Sequence, residues 1–150
     1  MDESGFEQYT LRPYGYAPIG ERCLATYNWQ AKKRTNVIGA LYKNTLFAID
    51  YFEQNINTDC VYAWCKNKLI PDLKRKCVIV MDNASFHKAK RIQKLLNRYG
   101  HRLLFLPPYS PQLNPIEKKW AQVKAIRRKL LENDLPKLFN QVACTNFILV

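Results

Sequence analysis

The sequence is short of acids, histidines and paired cysteines, and each shortage excludes a class of protein. Its 150 residues hold 12 Asp and Glu against 24 Lys and Arg, for a formal net charge of +12. No apolar run approaches the ~20 residues that a membrane-spanning helix needs. Met1 to Thr10 carries Asp2, Glu3 and Glu7 but no basic residue, whereas a secretory signal opens with positive charge. The compartment implied is the cytoplasm or nucleoid, with no membrane partner. Only His87 and His101 supply imidazoles, and the five cysteines, Cys23, Cys60, Cys65, Cys77 and Cys144, include no Cys-x-x-Cys. No zinc pattern can be assembled from them, and they read as reduced, mostly buried thiols. There is no linker, internal repeat or low-complexity segment.

What is present suits one folded domain. Hydrophobic residues make up 47% of the chain and aromatics 13%, which excludes disordered and collagen-like chains. A chain of this length buries ~68–70% of its unfolded surface on folding. The positive charge is concentrated. From Asn83 to Leu130 there are 12 basic residues, Lys88, Lys90, Arg91, Lys94, Arg98, Arg102, Lys118, Lys119, Lys124, Arg127, Arg128 and Lys129, and one acid, Glu117. Such a field attracts a polyanion, nucleic acid being the commonest, although charge runs also serve as solvated faces.

Patterning predicts strands first, then alternating helices and strands. Met1 to Gly20 is rich in Gly, Pro and Tyr and reads as irregular or hairpin structure. Strands are expected at Cys23–Trp29, Val37–Tyr42 and Thr45–Ile49, the last two forming a hairpin. Val61, Trp64, Cys65, Leu69 and Leu73 recur at helical spacing, predicting an amphipathic helix over Ile56–Leu73. Lys76–Met81 reads as a strand buried on both faces, and Arg102–Leu106 as a second buried strand. Between them, Ala89–Tyr99 is expected to be helical, with Gly100 as its stop. Pro107–Pro111 is a loop. A final long helix runs over Pro115–Leu131, with Asn114 at its cap and Ile116, Trp120, Val123 and Leu130 on one face. A short helix or tail follows Pro136. The sum is an α/β chain, a mixed central sheet flanked by helices.

In this scheme Asp82 follows a buried strand at its carboxyl end, where catalytic groups of α/β sheets cluster. Glu117 lies in the first turn of the last long helix, with Asp2 as a third candidate. Converging carboxylates repel unless they hold cations, and Mg²⁺ takes hard oxygen ligands. Two such ions about 3.5–4 Å apart can activate a hydroxyl and stabilise the leaving oxygen of a phosphodiester. Plainer roles stand beside this one. Glu117 also fits a capping box with Asn114, Asp82 an Asx turn, and Asp2 a solvated terminal charge. His87 reads more readily as a helix-start histidine than as a group orienting a phosphate or water. Tyr109 and Trp120 could stack on bases, but Trp120 lies on an apolar helix face.

These residues carry a family resemblance. Met81-Asp82-Asn83-Ala84-Ser85-Phe86-His87 resembles the segment around the second catalytic aspartate of DDE-type transposases of bacterial insertion sequences related to the mariner superfamily. Leu106-Pro107-Pro108-Tyr109-Ser110-Pro111-Gln112-Leu113-Asn114-Pro115-Ile116-Glu117 is similar to the segment leading to that family's catalytic glutamate. Asp2-Glu3-Ser4-Gly5-Phe6 resembles the stretch around the first aspartate, and Tyr14-Gly15-Tyr16-Ala17-Pro18-Ile19-Gly20 the motif after it.

The resemblance implies an RNase H-like fold and a triad of Asp2, Asp82 and Glu117 holding two Mg²⁺ or Mn²⁺ ions. It implies nicking of double-stranded DNA at an element's ends, then attack of the freed 3′-hydroxyl on target DNA. Lys88, Lys90, Arg91, Lys118, Lys119, Lys124, Arg127 and Arg128 would hold phosphates, and Asn83, His87, Tyr109 and Asn114 would position substrate. No helix-turn-helix region like the family's is legible, and the chain opens one residue before the presumed first aspartate. The expectation is therefore a single catalytic domain over 1–150, truncated within its first strand. Alone it would be weakly active or inactive, acting through self-association or pairing with a longer transposase chain. The alternative is an inactive fragment that only binds nucleic acid. An RNase H-type ribonuclease is a third reading, disfavoured by the Pro-Pro-Tyr-Ser-Pro segment.

Overall fold

The structure is a computed structural model that describes residues 1–7, 15–23, 34–84, 87–108 and 110–143. Three strands, β1 (Asp2–Glu7), β2 (Arg34–Tyr42) and β3 (Thr45–Phe52), form an antiparallel sheet in that order. Thus the opening residues, expected to be irregular, are a strand as far as Glu7, and the resemblance located them better than composition did. The expected strand at Cys23–Trp29 and the tail from Cys144 lie outside the described residues, Cys23 apart. The β2–β3 hairpin turns at Lys43, whose φ is 55°.

Alternation along β2 shows how this sheet is used. Val37 and Leu41 face one apolar cluster and Ile38 and Ala40 the other, as the two-residue period of a strand requires. Both faces are therefore covered. In β3 the period breaks once. Phe47 and Ala48 both join one cluster, whereas Leu46, Ile49 and Tyr51 join the other. The pairing shifts between Ile38 and Ala40, and Ala48 takes a left-handed φ of 51°. One extra residue in β3 opposite Gly39 is a bulge, and it restores the apolar set to its side.

The first face is covered by α1 (Thr58–Trp64), a π-helical turn (Cys65–Leu69) and α2 (Ile70–Asp72). Asn57 caps α1, accepting from the backbone N–H groups of Asp59 and Cys60 at 2.9 and 3.0 Å. Trp64 Nε1 donates to the Ala48 carbonyl at 2.6 Å, seating the helix on the bulge. The helix α3 (Lys90–Arg98) packs beside it through Ile92, Leu95 and Leu96. Gly100, at φ 81°, ends α3 as expected. The second face is covered by α4 (Pro115–Leu130) and α5 (Leu135–Ala143), where Phe6, Trp120 and Phe139 meet edge to face.

The remaining strands, β4 (Val78–Met81) and β5 (Arg102–Phe105), form a separate two-stranded parallel ladder. The expected mixed sheet is thus two ladders, one antiparallel and one parallel. One link across the join between them is the Met1 amino group, which donates to the Val80 carbonyl at 2.7 Å. β4 and β5 are not buried on both faces. Val78 is 58% exposed and Leu104 54%, because no described element lies over that side. Leu130 is also exposed, since α4 ends in a left-handed turn at Leu131 and leads the chain away. Its expected place on the buried stripe falls instead to Arg127. Of the described cysteines, Cys60 and Cys65 are buried and Cys77 is half-buried, but Cys23 is exposed.

Candidate metal centre

β1 opens with Asp2, paired with Gly39 of β2, and Asp82 directly follows the last residue of β4. The join between the ladders therefore brings the two aspartates together. Oxygen atoms of Asp2, Glu3 and Asp82 lie within 4.8 Å of one another. Asp2 is 4% exposed, and its Oδ2 has no hydrogen-bond partner among the described residues. A buried, unsatisfied carboxylate oxygen is costly. Burial, reinforced by the charges of Glu3, Glu117 and Asp82 and offset in part by a backbone hydrogen bond, pushes the Asp2 carboxyl up to about 7. An orphaned oxygen in a set of hard carboxylate donors fits a divalent cation.

Asp82 is held differently. Its Oδ1 accepts from the Ala84 N–H at 3.0 Å, the expected Asx turn, and faces His87 Nδ1 at 2.5 Å. The hydrogen bond from His87 keeps the Asp82 carboxyl below the ordinary carboxylate range, against the opposing effect of burial. The other ring nitrogen, Nε2, lies 3.4 Å from Glu3 Oε2. Burial lowers the His87 imidazole, but the hydrogen bond to Asp82 and the nearby Glu3 carboxylate outweigh that and raise it to about 9. At neutral pH the ring carries both protons and faces a carboxylate on each side.

The expected site residues divide into those brought together and those that are not. Asp2 and Asp82 converge. Glu117, on the first turn of α4, is exposed and outside the group of mutually close oxygens, yet its charge acts on Asp2. The capping-box role is not taken up by Asn114, which is buried but makes no side-chain cap bond. His87 does not start a helix: α3 begins at Lys90 with Ala89 at its cap, and the His87 ring is 0% exposed. Tyr109 lies outside the described residues, and Asn83 is partly exposed beside Asp82.

Among the basic candidates, Lys88, Lys90, Lys118 and Arg128 are exposed, and Lys119 is partly so. Arg91 is exposed but ion-paired with Asp59, and Lys124 lies over the Phe6 ring at 5.5 Å. Arg127 departs from expectation. It is 5% exposed, donates from Nε to the Glu132 carbonyl at 3.1 Å, and fastens the turn between α4 and α5 instead of standing at the surface. Trp120 is core, as its helical face indicated. Two members of the site escaped the sequence reading, Glu3 as a carboxylate of the group and His87 as a bridge. The adjacency of Asp2 and Glu3 was the only signal for the first. The second depends on which side of the join the ring falls.

Several solved structures share this fold. A Mos1 strand transfer complex aligns with a TM-score of 0.62 and 22% identity, over 76% of this chain and 36% of that one. A Mos1 transposase paired-end complex with left transposon end gives 0.63 and 17%, over 84% and 40%. A pre-cleavage Mos1 transpososome gives 0.63 and 14%, over 98% and 56%. The chain spans between about a third and just over a half of the length of these neighbours. A comparison with curated proteins returned no match. The sequence matches the DDE superfamily endonuclease family over residues 1–137, nearly its whole length, so the chain belongs to that family.

Proposed function

We propose that the chain is the catalytic part of a DDE transposase, cutting double-stranded DNA at the ends of a mobile element and joining the freed 3′-hydroxyl to target DNA. The observation that carries this reading is the convergence of Asp2 and Asp82 across the join, with the Asp2 Oδ2 buried and without a partner among the described residues. Asp2, Asp82 and Glu117 would hold two Mg²⁺ or Mn²⁺ ions, which when bound supply an activated hydroxyl and a stabilised leaving oxygen. The residues do the rest. Asp2 gives up its proton to become a ligand. Asp82 is already ionised and oriented through its Oδ1. Glu117, at the start of α4, would supply the third carboxylate, and its charge already acts on Asp2.

Lys118 and Lys119 directly follow Glu117 in sequence, and Lys88, Lys90 and Arg128 add further positive charge at the surface. They hold phosphates and position DNA without reading its sequence. Arg127 takes no part in this. Two DNA ends must meet for strand transfer, so the reading includes self-association or pairing with a longer transposase chain. The neighbouring Mos1 assemblies with transposon-end DNA support it.

One observation favours a second reading, a nucleic-acid-binding module without catalysis: Glu117 stands outside the group of close carboxylates. Mn²⁺-dependent nicking of supercoiled plasmid separates the two. Under the catalytic reading nicking occurs, and both EDTA and Asp82→Asn abolish it while DNA binding persists. Nicking that survives Asp82→Asn would sink that reading. No nicking with salt-sensitive binding retained would establish the second.

A further inference from the structure

We propose that His87 is a positioning residue: its ring, clamped between the two ladders, fixes the Asp82 carboxylate so that it faces Asp2. This rests on the metal-binding reading of Asp2 and Asp82.

The need for such a device follows from where Asp82 stands. Met81 is the last residue of β4 paired with β5, so Asp82 lies just beyond the ladder. Its side chain is 42% exposed. An aspartate in such a place has several staggered rotamers open to it. Two bonds narrow the choice, and both use Oδ1. The Ala84 N–H belongs to the same turn and moves with Asp82. The His87 ring does not only belong to that turn, because its far nitrogen lies 3.4 Å from Glu3 Oε2 on β1. Through the ring, the orientation of Asp82 is referred to the strand that carries Asp2. The backbone supports the arrangement, with the His87 N–H donating to the Ala84 carbonyl at 3.1 Å.

Burial decides the kind of role. The ring is 0% exposed, so neither DNA nor a water in the cleft reaches it. Glu3 gains a role by the same geometry. It is one of the three clustered carboxylates, but its Oε2 is directed at His87, so it backs the ring while Asp2 and Asp82 are left to the cation. Without the ring, Glu3 and Asp82 would face each other with no donor between them.

The test is Mn²⁺ titration of the full chain followed by electron paramagnetic resonance, with DNA affinity in EDTA and thermal melting as controls. His87→Ala removes both contacts and is expected to weaken Mn²⁺ binding about 10–100-fold, the usual effect of losing a ligand's supporting partner. His87→Asn keeps an amide where Nδ1 stood but loses the reach to Glu3, and is expected to recover only part of that affinity. His87→Gln reaches toward Glu3 and should recover little. DNA affinity in EDTA should not change. If His87→Ala does not fold, the Asn and Gln variants decide the matter between them. A purely structural role predicts equal Mn²⁺ loss in both, tracking their loss of melting temperature, and that result would overturn the proposal. So would Mn²⁺ affinity unchanged in all three variants. Wild-type protein that binds no Mn²⁺ would overturn the metal-binding reading itself, and this proposal with it.

Discussion

The two ladders differ in how they are held. The antiparallel ladder, β1 to β3, has helices on both faces. On one side lie α1, the π-helical turn and α3, and on the other the aromatic contacts of α4 and α5. Among the described residues the parallel ladder, β4 and β5, is covered on one side alone, and Val78 and Leu104 are more than half exposed on the other. Asp2 belongs to the first ladder and Asp82 to the second. The candidate site is thus built where two differently supported units meet, and two links tie them there: the Met1 amino group on the Val80 carbonyl and His87 between Glu3 and Asp82. An arrangement of this kind leaves the carboxylates accessible, but it makes their separation depend on the join as well as on the core.

The largest effect is expected from removing the cover of the antiparallel ladder. Trp120 is fully buried, lies edge-on to Phe6 and Phe139, and passes close over Gly39, the partner of Asp2. Trp120→Ala is expected to cost about 3–5 kcal/mol, read as a shift in the urea midpoint, because it deletes a large ring and leaves a cavity. A loss below about 1 kcal/mol would mean that α4 does not carry the stability of this ladder.

Sequence reasoning located both regions with unequal success. β2, α3 and α4 were legible because their apolar period survives, and β3 from its apolar run despite the bulge that breaks its period, while Asn114 followed by Pro115 marks the start of α4 without ambiguity. The bulge at Ala48 was not legible, since the residue facing Gly39 is an alanine where a left-handed φ favours glycine. The parallel ladder was recognised as strands but misjudged as buried. An apolar run indicates what a strand would bury, and among the described residues nothing covers the ladder's outer side. Arg127 illustrates the converse. At the spacing of Ile116, Trp120 and Val123 it falls on the buried stripe, and charge alone marked it for a phosphate. Asp82 and Glu117 were named from their places after a strand and at a helix start and from resemblance, whereas the bridge by His87 could not be, because it joins residues that meet only through tertiary structure.

Titration should separate the join from the rest of the molecule. In the metal-free protein the Asp2 carboxyl is raised to about 7, so its folded form favours the proton. Its destabilising effect is absent below the ordinary carboxylate value and grows as pH rises from about 4 to 7. His87 is raised to about 9. Its stabilising effect is full below about 6.5 and is lost as pH rises through 9. Both act in one direction and together oppose the single Met1 amino group, whose pKa burial lowers, so the melting temperature in EDTA should fall as pH rises from 5 to 9. Mn²⁺ affinity should run the other way near neutrality, dropping up to about tenfold per pH unit below 7, because one proton competes for Asp2. A metal-free melting temperature that rises over this range would refute the assignment.

Thiol labelling compares the ladders more directly. Cys65 lies under the antiparallel ladder's helical cover, and burial pushes its thiol up to about 12. Cys77 stands just before β4, half-buried, with its Sγ 3.4 Å from His101 Nδ1, and its carbonyl accepts from the Arg102 N–H at 3.0 Å. Burial raises its thiol as well. In a Cys144→Ser background, iodoacetamide at pH 8 followed by mass spectrometry should mark Cys23 first, then Cys77, and Cys65 last. A Cys77 rate at least about tenfold above that of Cys65 is expected if the parallel ladder opens first, a difference of ~1.4 kcal/mol in opening. Equal rates would mean that the two ladders open as one unit.

The smallest effect makes the comparison within a single strand. Leu103 and Leu104 are neighbours on β5, and strand alternation sends them to opposite sides. Leu103 packs against the main core, whereas Leu104 is more than half exposed. The same deletion at the two positions should therefore differ in cost. Leu103→Ala is expected to lose about 2 kcal/mol, from transferred area and a partial cavity. Leu104→Ala should lose no more than about 0.5 kcal/mol, since the side chain gives up little burial on unfolding. Equal losses in the urea midpoint would mean that the outer face of the parallel ladder is covered in solution, and a concentration-dependent midpoint for Leu104→Ala would identify the cover as a second copy of the chain.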